Sequence, residues 1–360
     1  MSSPRREGAS PMSLPLPAVP TAIIVAPMGG GPTTPRLVGA AGDAGALGFL
    51  ASGYRSAAEL LNQVAEVRRL SRAPFGVNVF APVNVDPEEQ RKVAGYVDSL
   101  RPVARALGVE PGDPVHSDDD FDAKLQVVLD ARPDIVSFTF GIPPPPVVRE
   151  LHRRRIPVAI TVTDAEQAEV ASDSGADCLI VQGWEAGAHR GGLTDPDAEG
   201  LALLPLLRLV ARRSRVPVVA TGGIADGAAV AAVLAAGASA AMLGTAFMRC
   251  PEAGTAPAHA AALTDRHHTA ITRAFTGRSA RGLANRFLEE FSATAPAAYP
   301  EVHYATAPLR AAARRRGDSD NLHLWAGQAH ELAEALPVGE LVAKMAREAK
   351  DALSRAAAAL

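Results

Sequence analysis

The sequence is poor in cysteine and in aromatic residues. It has two cysteines, Cys178 and Cys250, and aromatic side chains make up 4% of its 360 residues. Two cysteines cannot build a disulfide framework, so we expect a cytoplasmic protein of a reducing compartment. The formal net charge of −3 gives no reason to expect nucleic acid or a membrane as a partner. A hydrophobic content of 48% is typical of a soluble globular protein.

No segment has the pattern of a signal peptide or of a membrane span. Residues 1–20 contain five prolines and lack the continuous apolar core of a signal peptide, so they predict a disordered N-terminal tail. Residues 227–248 carry no charge, but most are alanine or glycine, which contribute little insertion energy. Gly237 divides this stretch, and we predict a helix followed by a buried strand.

Eight short apolar runs alternate with segments of helical pattern. Each run is continuous in its hydrophobicity, which is typical of strands buried on both faces of a parallel sheet. Several runs follow a charged helix end and a proline, a combination that ends a helix and starts a strand. The predicted strands are Thr21–Ala26, Ala46–Ala51, Phe75–Phe80, Asp134–Phe140, Ile156–Val162, Asp177–Val181, Val216–Thr221 and Ser239–Leu243.

Eight strand–helix alternations favour an α/β fold, a (β/α)8 TIM barrel with a C-terminal helical appendage, over a doubly wound sheet. We assign the barrel to residues 21–249, with an extra helix inserted in 85–122. Residues 250–337 show no recognisable buried strand and predict a helical second domain that covers the active site. Residues 338–360 predict a closing helix packed on the barrel. A cluster of arginines is interpreted as a solvated face: Arg310, Arg314, Arg315 and Arg316.

His189 lies in a glycine-rich run that directly follows the sixth predicted strand. In a barrel this places it at the carboxyl end of a strand, where the chemistry of such folds takes place. Its imidazole can exchange a proton near neutral pH, and the flanking glycines let a flat ligand approach the backbone. A loop histidine bonded only to its neighbours is the simpler alternative. Together with the features below, His189 is the predicted catalytic residue.

Two turns of small residues follow the last two predicted strands, where barrels commonly bind phosphate. They contain Gly222 and Gly223 in one turn, and Gly244 and Thr245 in the other. Glycine lets several backbone N–H groups converge on one anion, and a following helix start adds partial positive charge. The glycines can also serve tight turns alone, but two such turns favour a phosphate-bearing ligand. Because no Gly-x-Gly-x-x-Gly follows the first strand, we expect a mononucleotide such as FMN.

Other strand ends offer groups for the ring of such a cofactor. Met28 follows the first strand and offers a soft apolar contact. Asn78 and Gln182, on the third and sixth strands, carry amides whose donors and acceptors suit the polar edge of a flavin. Either amide can instead satisfy nearby backbone groups. The shared position at strand ends favours the cofactor.

These stretches resemble the nitronate monooxygenases, formerly called 2-nitropropane dioxygenases. The matching segments run in family order over most of residues 22–330 and include PFGVNVFAP, SGADCLIVQGWEAGAHRGG, VPVVATGGIADGAAVAAVLAAGASAAMLGTAFM, TGRSARGLANRF and LWAGQ. The resemblance implies an FMN-containing barrel that uses O2 to oxidise alkyl nitronates to a carbonyl compound and nitrite. The implied partners are therefore a small nitronate or nitroalkane and O2.

The resemblance also implies roles for individual residues. His189 is similar to the family's active-site histidine, and Gln328 to a second-domain residue that closes over the cofactor. The residues that resemble FMN contacts are Met28, Asn78, Gln182, Gly187, Gly223 and the turn Met242, Leu243, Gly244 and Thr245.

Ala188 departs from the family pattern, which has glycine before the histidine. If this position requires a positive φ, alanine costs about 1 kcal/mol and shifts the imidazole. Trp184 in the same loop is expected to narrow the pocket. A protonated His189 would stabilise the charge of a nitronate, whereas a neutral one would deprotonate a neutral nitroalkane.

Two other functions stay open. Flavin-dependent enoyl-acyl-carrier-protein reductases resemble this family and share a glycine-rich histidine loop, so an NAD(P)H-dependent FMN reductase is one alternative. Arg190 and Gly191 after the histidine look more like the monooxygenases. A non-catalytic barrel that binds a phosphorylated ligand is the other alternative. The sequence fixes neither the physiological nitro compound nor the oligomeric state, which leaves a homo-oligomer open.

Overall fold

A computed structural model describes residues 19–196, 199–265 and 267–360 of the chain. Eight parallel strands close into a barrel, and each lies within or overlaps one of the eight predicted apolar runs, so the predicted (β/α)8 fold is confirmed. In barrel order the strands are β1 (Ile23–Val25), β2 (Leu47–Ala51), β3 (Phe75–Phe80), β4 (Ile135–Thr139), β5 (Val158–Val162), β6 (Cys178–Gln182), β8 (Val218–Thr221) and β9 (Ala240–Leu243).

The helices begin where their sequences provide caps. Ser56 and Glu59 form a capping box, and the carboxylates of Asp164 and Asp226 accept the first-turn N–H groups of Gln167 and Ala229. The helices are α1 (Pro35–Asp43), α2 (Ala57–Leu70), α3 (Pro87–Ala106), α4 (Phe121–Ala131), α5 (Pro145–Arg153), α6 (Ala165–Asp173), α7 (Leu203–Ala211), α8 (Gly227–Ala235), α9 (Pro257–Ala262), α10 (Arg286–Phe291), α11 (Glu301–Arg316) and α12 (Val338–Ala358).

The barrel strands bury both of their faces. Ile24 belongs to the cluster inside the barrel, whereas its neighbours Ile23 and Val25 pack in the larger core between strands and helices. Alternation of side chains along each strand produces these two layers. Cys178 is in the inner cluster, and burial raises the pKa of its thiol to about 12, which suits an inert core side chain.

Helix α12 closes the barrel from outside, as expected for residues 338–360. It packs against α8 and α1. A Cβ at Gly227 would lie 2.3 Å from the carbonyl oxygen of Met345, so this close approach requires glycine. The carboxylate of Glu348 accepts the Gly227 N–H at 3.0 Å.

The expectation that residues 250–337 contain no recognisable buried strand is wrong, because the strand Ala280–Leu283 is buried. β10 (Thr269–Thr272) and β11 (Ala280–Leu283) join β7 (Ala188–His189) in an antiparallel sheet of order β10-β11-β7. These strands were missed because each has only four residues and polar residues interrupt its apolar pattern. The sheet links the loop of His189 directly to the segment after the barrel.

The inserted helix α3, predicted after β3, contributes to a second hydrophobic core. Its Tyr96 and Leu100 pack in one cluster with Phe287 and Val302 of α10 and α11. The segment above the barrel is therefore built partly from α3, a helix inserted between two strands of the barrel. The boundaries given above for the second domain stay a prediction.

The remaining expectations concern the N-terminus and the membrane. Residues 1–18 of the predicted tail lie outside the described residues. Val19 packs against the cluster inside the barrel. Within the described ranges, no helix is both long and apolar enough to cross a membrane. Residues 227–248 form α8 and β9, as the sequence predicted.

Candidate active site

A cavity of about 370 Å³ lies between the carboxyl ends of the barrel strands and the segment above them. This volume is in the range of small-molecule sites. Ten of the twelve predicted site residues line it, although they come from distant parts of the sequence. These residues are Met28, Asn78, Gln182, Gly187, His189, Gly222, Gly223, Met242, Gly244 and Thr245.

Two predicted site residues do not line the cavity. The side chain of Leu243 is buried between the barrel and its helices, because alternation along β9 turns it away from the interior that Met242 faces. The side chain of Gln328 is exposed, and its backbone N–H donates to the Glu185 carbonyl at 3.0 Å. The cavity contacts expected of Leu243 and Gln328 are therefore not found.

Trp184 does not narrow the cavity as expected. It lies outside the lining, with the Arg190 guanidinium 5.0 Å from its ring centroid and that of Arg281 at 5.8 Å. Both distances fit cation–π contacts. Trp184 thus supports the histidine loop from outside the cavity.

The loop that carries His189 is held by hydrogen bonds to its backbone. The Gln182 amide nitrogen donates to the His189 carbonyl at 3.0 Å, and its oxygen accepts the Gly191 N–H at 2.9 Å. Gln182 therefore satisfies backbone groups, the alternative that the sequence left open. Arg278, from the segment above the barrel, donates to the carbonyls of Arg190 and Gly192 at 2.9 and 2.7 Å.

The imidazole of His189 is half-buried and is hydrogen-bonded at one nitrogen. Its Nε2 lies 2.9 Å from Thr276 Oγ1, and the Thr276 hydroxyl donates to the Arg278 carbonyl at 3.2 Å. The Thr276 oxygen is then the acceptor, which places the imidazole proton on Nε2 and leaves a lone pair on Nδ1. Burial, and secondarily the Arg278 guanidinium, lower the pKa of His189 to about 3. The imidazole is neutral near pH 7.

Aromatic rings surround His189. The ring centroids of Phe140, Tyr299 and Trp325 lie 5.7, 5.8 and 5.7 Å from that of His189. Phe140 follows β4 with φ = 76°, a strained value for a bulky residue, and its ring lies 4.3 Å from the Arg278 guanidinium. None of these aromatic residues was predicted, because only the tertiary fold brings them to the histidine.

Ala188 has φ = 62°, the left-handed conformation that favours glycine. We expect Ala188→Gly to raise the free energy of unfolding by about 0.5–1 kcal/mol, because it removes the strain of alanine in this region. Urea denaturation measures the change. Ala186→Gly is the control, since Ala186 is buried in the same loop without a positive φ, and we expect this variant to lose stability. A loss in Ala188→Gly would contradict the argument.

The turn after β8 contains two glycines with positive φ. Gly222 and Gly223 have φ values of 117° and 67°. A Cβ at Gly222 would lie 3.2 Å from the backbone nitrogens of Ala186 and Gly183, so this turn is also tightly packed. Both the tight-turn role and the anion-binding role raised by the sequence are thus compatible with these glycines. Helix α8 begins a few residues later.

The turn after β9 lines the same cavity. Thr245 Oγ1 accepts the Gly327 N–H at 3.0 Å, which leaves the hydroxyl proton available for a ligand. Gly244 adjoins Met28, since a Cβ there would lie 3.7 Å from the Met28 sulfur. Gly187 has a packing role as well, because a Cβ there would lie 2.5 Å from the Gly327 nitrogen. Backbone donors and one hydroxyl on two adjacent strands fit a phosphate group.

Asn78 presents an acceptor in the cavity wall. Its amide nitrogen donates to Ser137 Oγ at 3.0 Å and to Thr139 Oγ1 at 2.8 Å. These bonds fix the amide orientation. No hydrogen-bond partner of the Asn78 oxygen is found in the part of the chain that the structure describes, so this oxygen can accept from a ligand N–H.

The interpretation of the arginine cluster as a solvated face is wrong for Arg310. This residue is 9% exposed and lines the cavity, whereas Arg315 and Arg316 are exposed. Arg310 lies on the buried face of α11 with Val302 and Leu309. The helical spacing of Arg310 from these apolar residues is the sequence signal that could have identified it as a buried residue.

Comparisons with known proteins agree with this geometry. A family model described as nitronate monooxygenase matches residues 17–348. The chain is 40% identical over 343 residues to a nitronate monooxygenase of Pseudomonas aeruginosa, an alignment that covers 91% of this chain and 95% of that protein.

Solved structures show the same relationship. A nitroalkane oxidase from Streptomyces ansochromogenes has a TM-score of 0.91 and 45% identity, over 94% of this chain and 98% of that one. FabK from Thermotoga maritima has a TM-score of 0.72 and 25% identity, over 95% and 96% of the two chains. The chain therefore belongs to the nitronate monooxygenase family of flavin-dependent oxidoreductases.

Proposed function

We propose that the protein uses FMN and O2 to oxidise alkyl nitronates to a carbonyl compound and nitrite. One observation carries this proposal: His189 and the two phosphate-fitting turns line a single cavity. The match to the nitronate monooxygenase family supports the substrate class.

The described residues suit FMN in two places. The turns containing Gly222, Gly223, Gly244 and Thr245 would hold its phosphate through backbone N–H groups and one hydroxyl. Met28 and the Asn78 oxygen would contact the ring system. Bound FMN would supply the electron transfer and the reaction with O2, chemistry that belongs to the cofactor.

His189 would act as a base. Its neutral imidazole has a lone pair on Nδ1 and can take the carbon-bound proton of a neutral nitroalkane, leaving the nitronate anion in the cavity. The new anion beside the imidazolium offsets the burial that lowers the pKa of the histidine. The likeness to a nitroalkane oxidase supports the neutral nitroalkane as a substrate. A nitronate supplied from solution would enter without this proton transfer.

A second candidate function is an NAD(P)H-dependent flavin reductase. The likeness to FabK over 95% of the chain favours it. The two candidates differ in the source of the electrons. A reductase takes them from a nicotinamide, whereas the proposed oxidation takes them from the nitronate.

The test is O2 consumption by the FMN-loaded protein with ethyl nitronate and without NADH or NADPH. We expect rapid O2 uptake with release of nitrite and acetaldehyde. The matched measurement adds NADH or NADPH anaerobically without nitronate, and we expect the flavin absorbance to persist. No uptake from a yellow protein, together with rapid bleaching by either nucleotide, would establish the reductase instead.

A further inference from the structure

The cavity wall carries cationic groups and, among the described residues, no carboxylate. Among the described lining residues the only side chains with a permanent positive charge are Arg310 and Arg314, and none is aspartate or glutamate. Burial lowers the pKa of the four histidines in the wall, which are therefore neutral near pH 7: His189, His259, His303 and His323. The charge of this cavity thus comes from arginine.

Arg310 is buried, and the described residues provide no acid that compensates its charge. It makes no ion pair within the ranges that the structure describes, and burial lowers its pKa only to about 10, so it remains a cation at pH 7. An isolated buried charge is costly unless a partner of opposite sign binds beside it. Arg314 differs, because its side chain is exposed and donates to the Gly30 carbonyl at 3.1 Å.

The guanidinium of Arg310 is held in one orientation. Its Nε donates to Thr306 Oγ1 at 3.0 Å, and its Nη2 donates to the His303 carbonyl at 2.7 Å. The ring of His303 stacks on Tyr54, with centroids 3.8 Å apart and planes 6° from parallel. Nη1 has no hydrogen-bond partner in the described part of the chain, although Arg310 lines the cavity. A preorganised cation therefore presents free donors to a ligand.

We infer that Arg310 binds the negatively charged nitro group of the nitronate and gives the site its preference for an anionic substrate. This inference rests on the proposed function. The charge of a nitronate lies mainly on two oxygens in one plane, and a planar guanidinium fork matches such a group. Arg310 lies on α11, whereas the turns proposed for the FMN phosphate follow β8 and β9.

The test compares Arg310→Met and Arg310→Lys in the FMN-loaded protein. The measured quantities are the flavin content, the KM and kcat for ethyl nitronate, and the dissociation constant of nitrate, a planar anion with similar oxygens. Nitrate binding is followed by tryptophan fluorescence, since Trp325 lines the cavity. We expect Arg310→Met to keep its flavin but to raise KM and the nitrate dissociation constant by about 30-fold or more. We expect kcat to change less than KM. We expect Arg310→Lys to bind nitrate about tenfold more tightly than Arg310→Met.

A second pair of variants leaves Arg310 in place. Ala307 lines the cavity one turn before Arg310 on α11. Ala307→Glu would supply an internal carboxylate for the guanidinium, whereas Ala307→Gln has the same shape without the charge. We expect the glutamate variant to bind nitrate about tenfold more weakly than the glutamine variant. If Arg310→Met does not fold, these two Ala307 variants still test whether Arg310 binds the anion.

The control for α11 is Arg315→Gln, because Arg315 is exposed on the same helix. Nitrate binding by Arg310→Met within about threefold of the unmodified protein would overturn the inference, as would equal binding by the two Ala307 variants. Loss of flavin with unchanged nitrate affinity would assign Arg310 to the cofactor instead. If the unmodified protein binds nitrate through Arg310 but does not oxidise nitronates, the proposed function fails while the anion site stands.

Discussion

Replacing His189 by alanine is expected to lower the turnover of nitroethane by about 10²–10⁴-fold, the usual contribution of a positioned general base. The neutral imidazole of His189 lines the cavity and has a lone pair on Nδ1 that can take the carbon-bound proton. Turnover of preformed ethyl nitronate should fall less, because its carbon has already lost that proton. Steady-state O2 consumption with each substrate measures the two effects separately.

The flavin content of His189→Ala shows whether the cofactor site is intact. Because the phosphate-fitting turns follow β8 and β9, we expect full FMN binding in this variant. His152→Ala is the control, since His152 is exposed on α5 and pairs with Asp177 at 2.9 Å. Equal activity of His189→Ala and the unmodified protein on nitroethane would exclude His189 as the base. An equal loss on both substrates would assign it a role after proton removal.

The barrel could be predicted because its determinants are local. Each strand is a continuous apolar run, and the helix starts after Asp164 and Asp226 are set by side chains three residues before the N–H groups they bind. The barrel in turn predicts that His189, Gly223 and Gly244 lie together, because parallel strands bring all their carboxyl ends to one end of the barrel. Knowledge of the fold class is sufficient to place these groups together.

The rest of the site depends on contacts between distant segments. Thr276 reaches His189 only because β11 pairs with β7, and those strands are too short to produce a clear pattern. The sequence pattern groups Arg310 with the exposed run Arg314–Arg316, while its burial is decided by the position of α11 over the cavity. The pKa of His189 is likewise set by burial and by Arg278, 89 residues away in the sequence.

A buried ion pair supports the loop of Tyr54, a residue of the cavity wall. Lys124 Nζ of α4 lies 2.6 Å from Asp119 Oδ2, and the Lys124 side chain is 0% exposed. Asp119 Oδ1 also accepts the backbone N–H of Tyr54 at 2.9 Å. Burial raises the pKa of Asp119, because loss of solvation disfavours the charged carboxylate. The pair therefore joins α4 to the loop that places Tyr54 against His303.

Lys124→Met is expected to lower the free energy of unfolding by about 3–5 kcal/mol, because it leaves the Asp119 carboxylate buried and unpaired. Urea denaturation measures the loss, with an unchanged slope as the sign that the unfolding remains two-state. Asp119→Asn should be destabilising as well, since it leaves the ammonium group of Lys124 without a counter-charge.

The double variant Asp119→Asn/Lys124→Met separates an unpaired charge from lost packing. Asparagine keeps an acceptor for the Tyr54 N–H and tolerates the φ of 59° at position 119. Replacing both charges by neutral groups of similar shape is often nearly neutral for stability, so we expect the double variant to recover most of the loss. If it is as unstable as Lys124→Met alone, packing of the lysine stem rather than the unpaired carboxylate determines the stability of this part of the cavity wall.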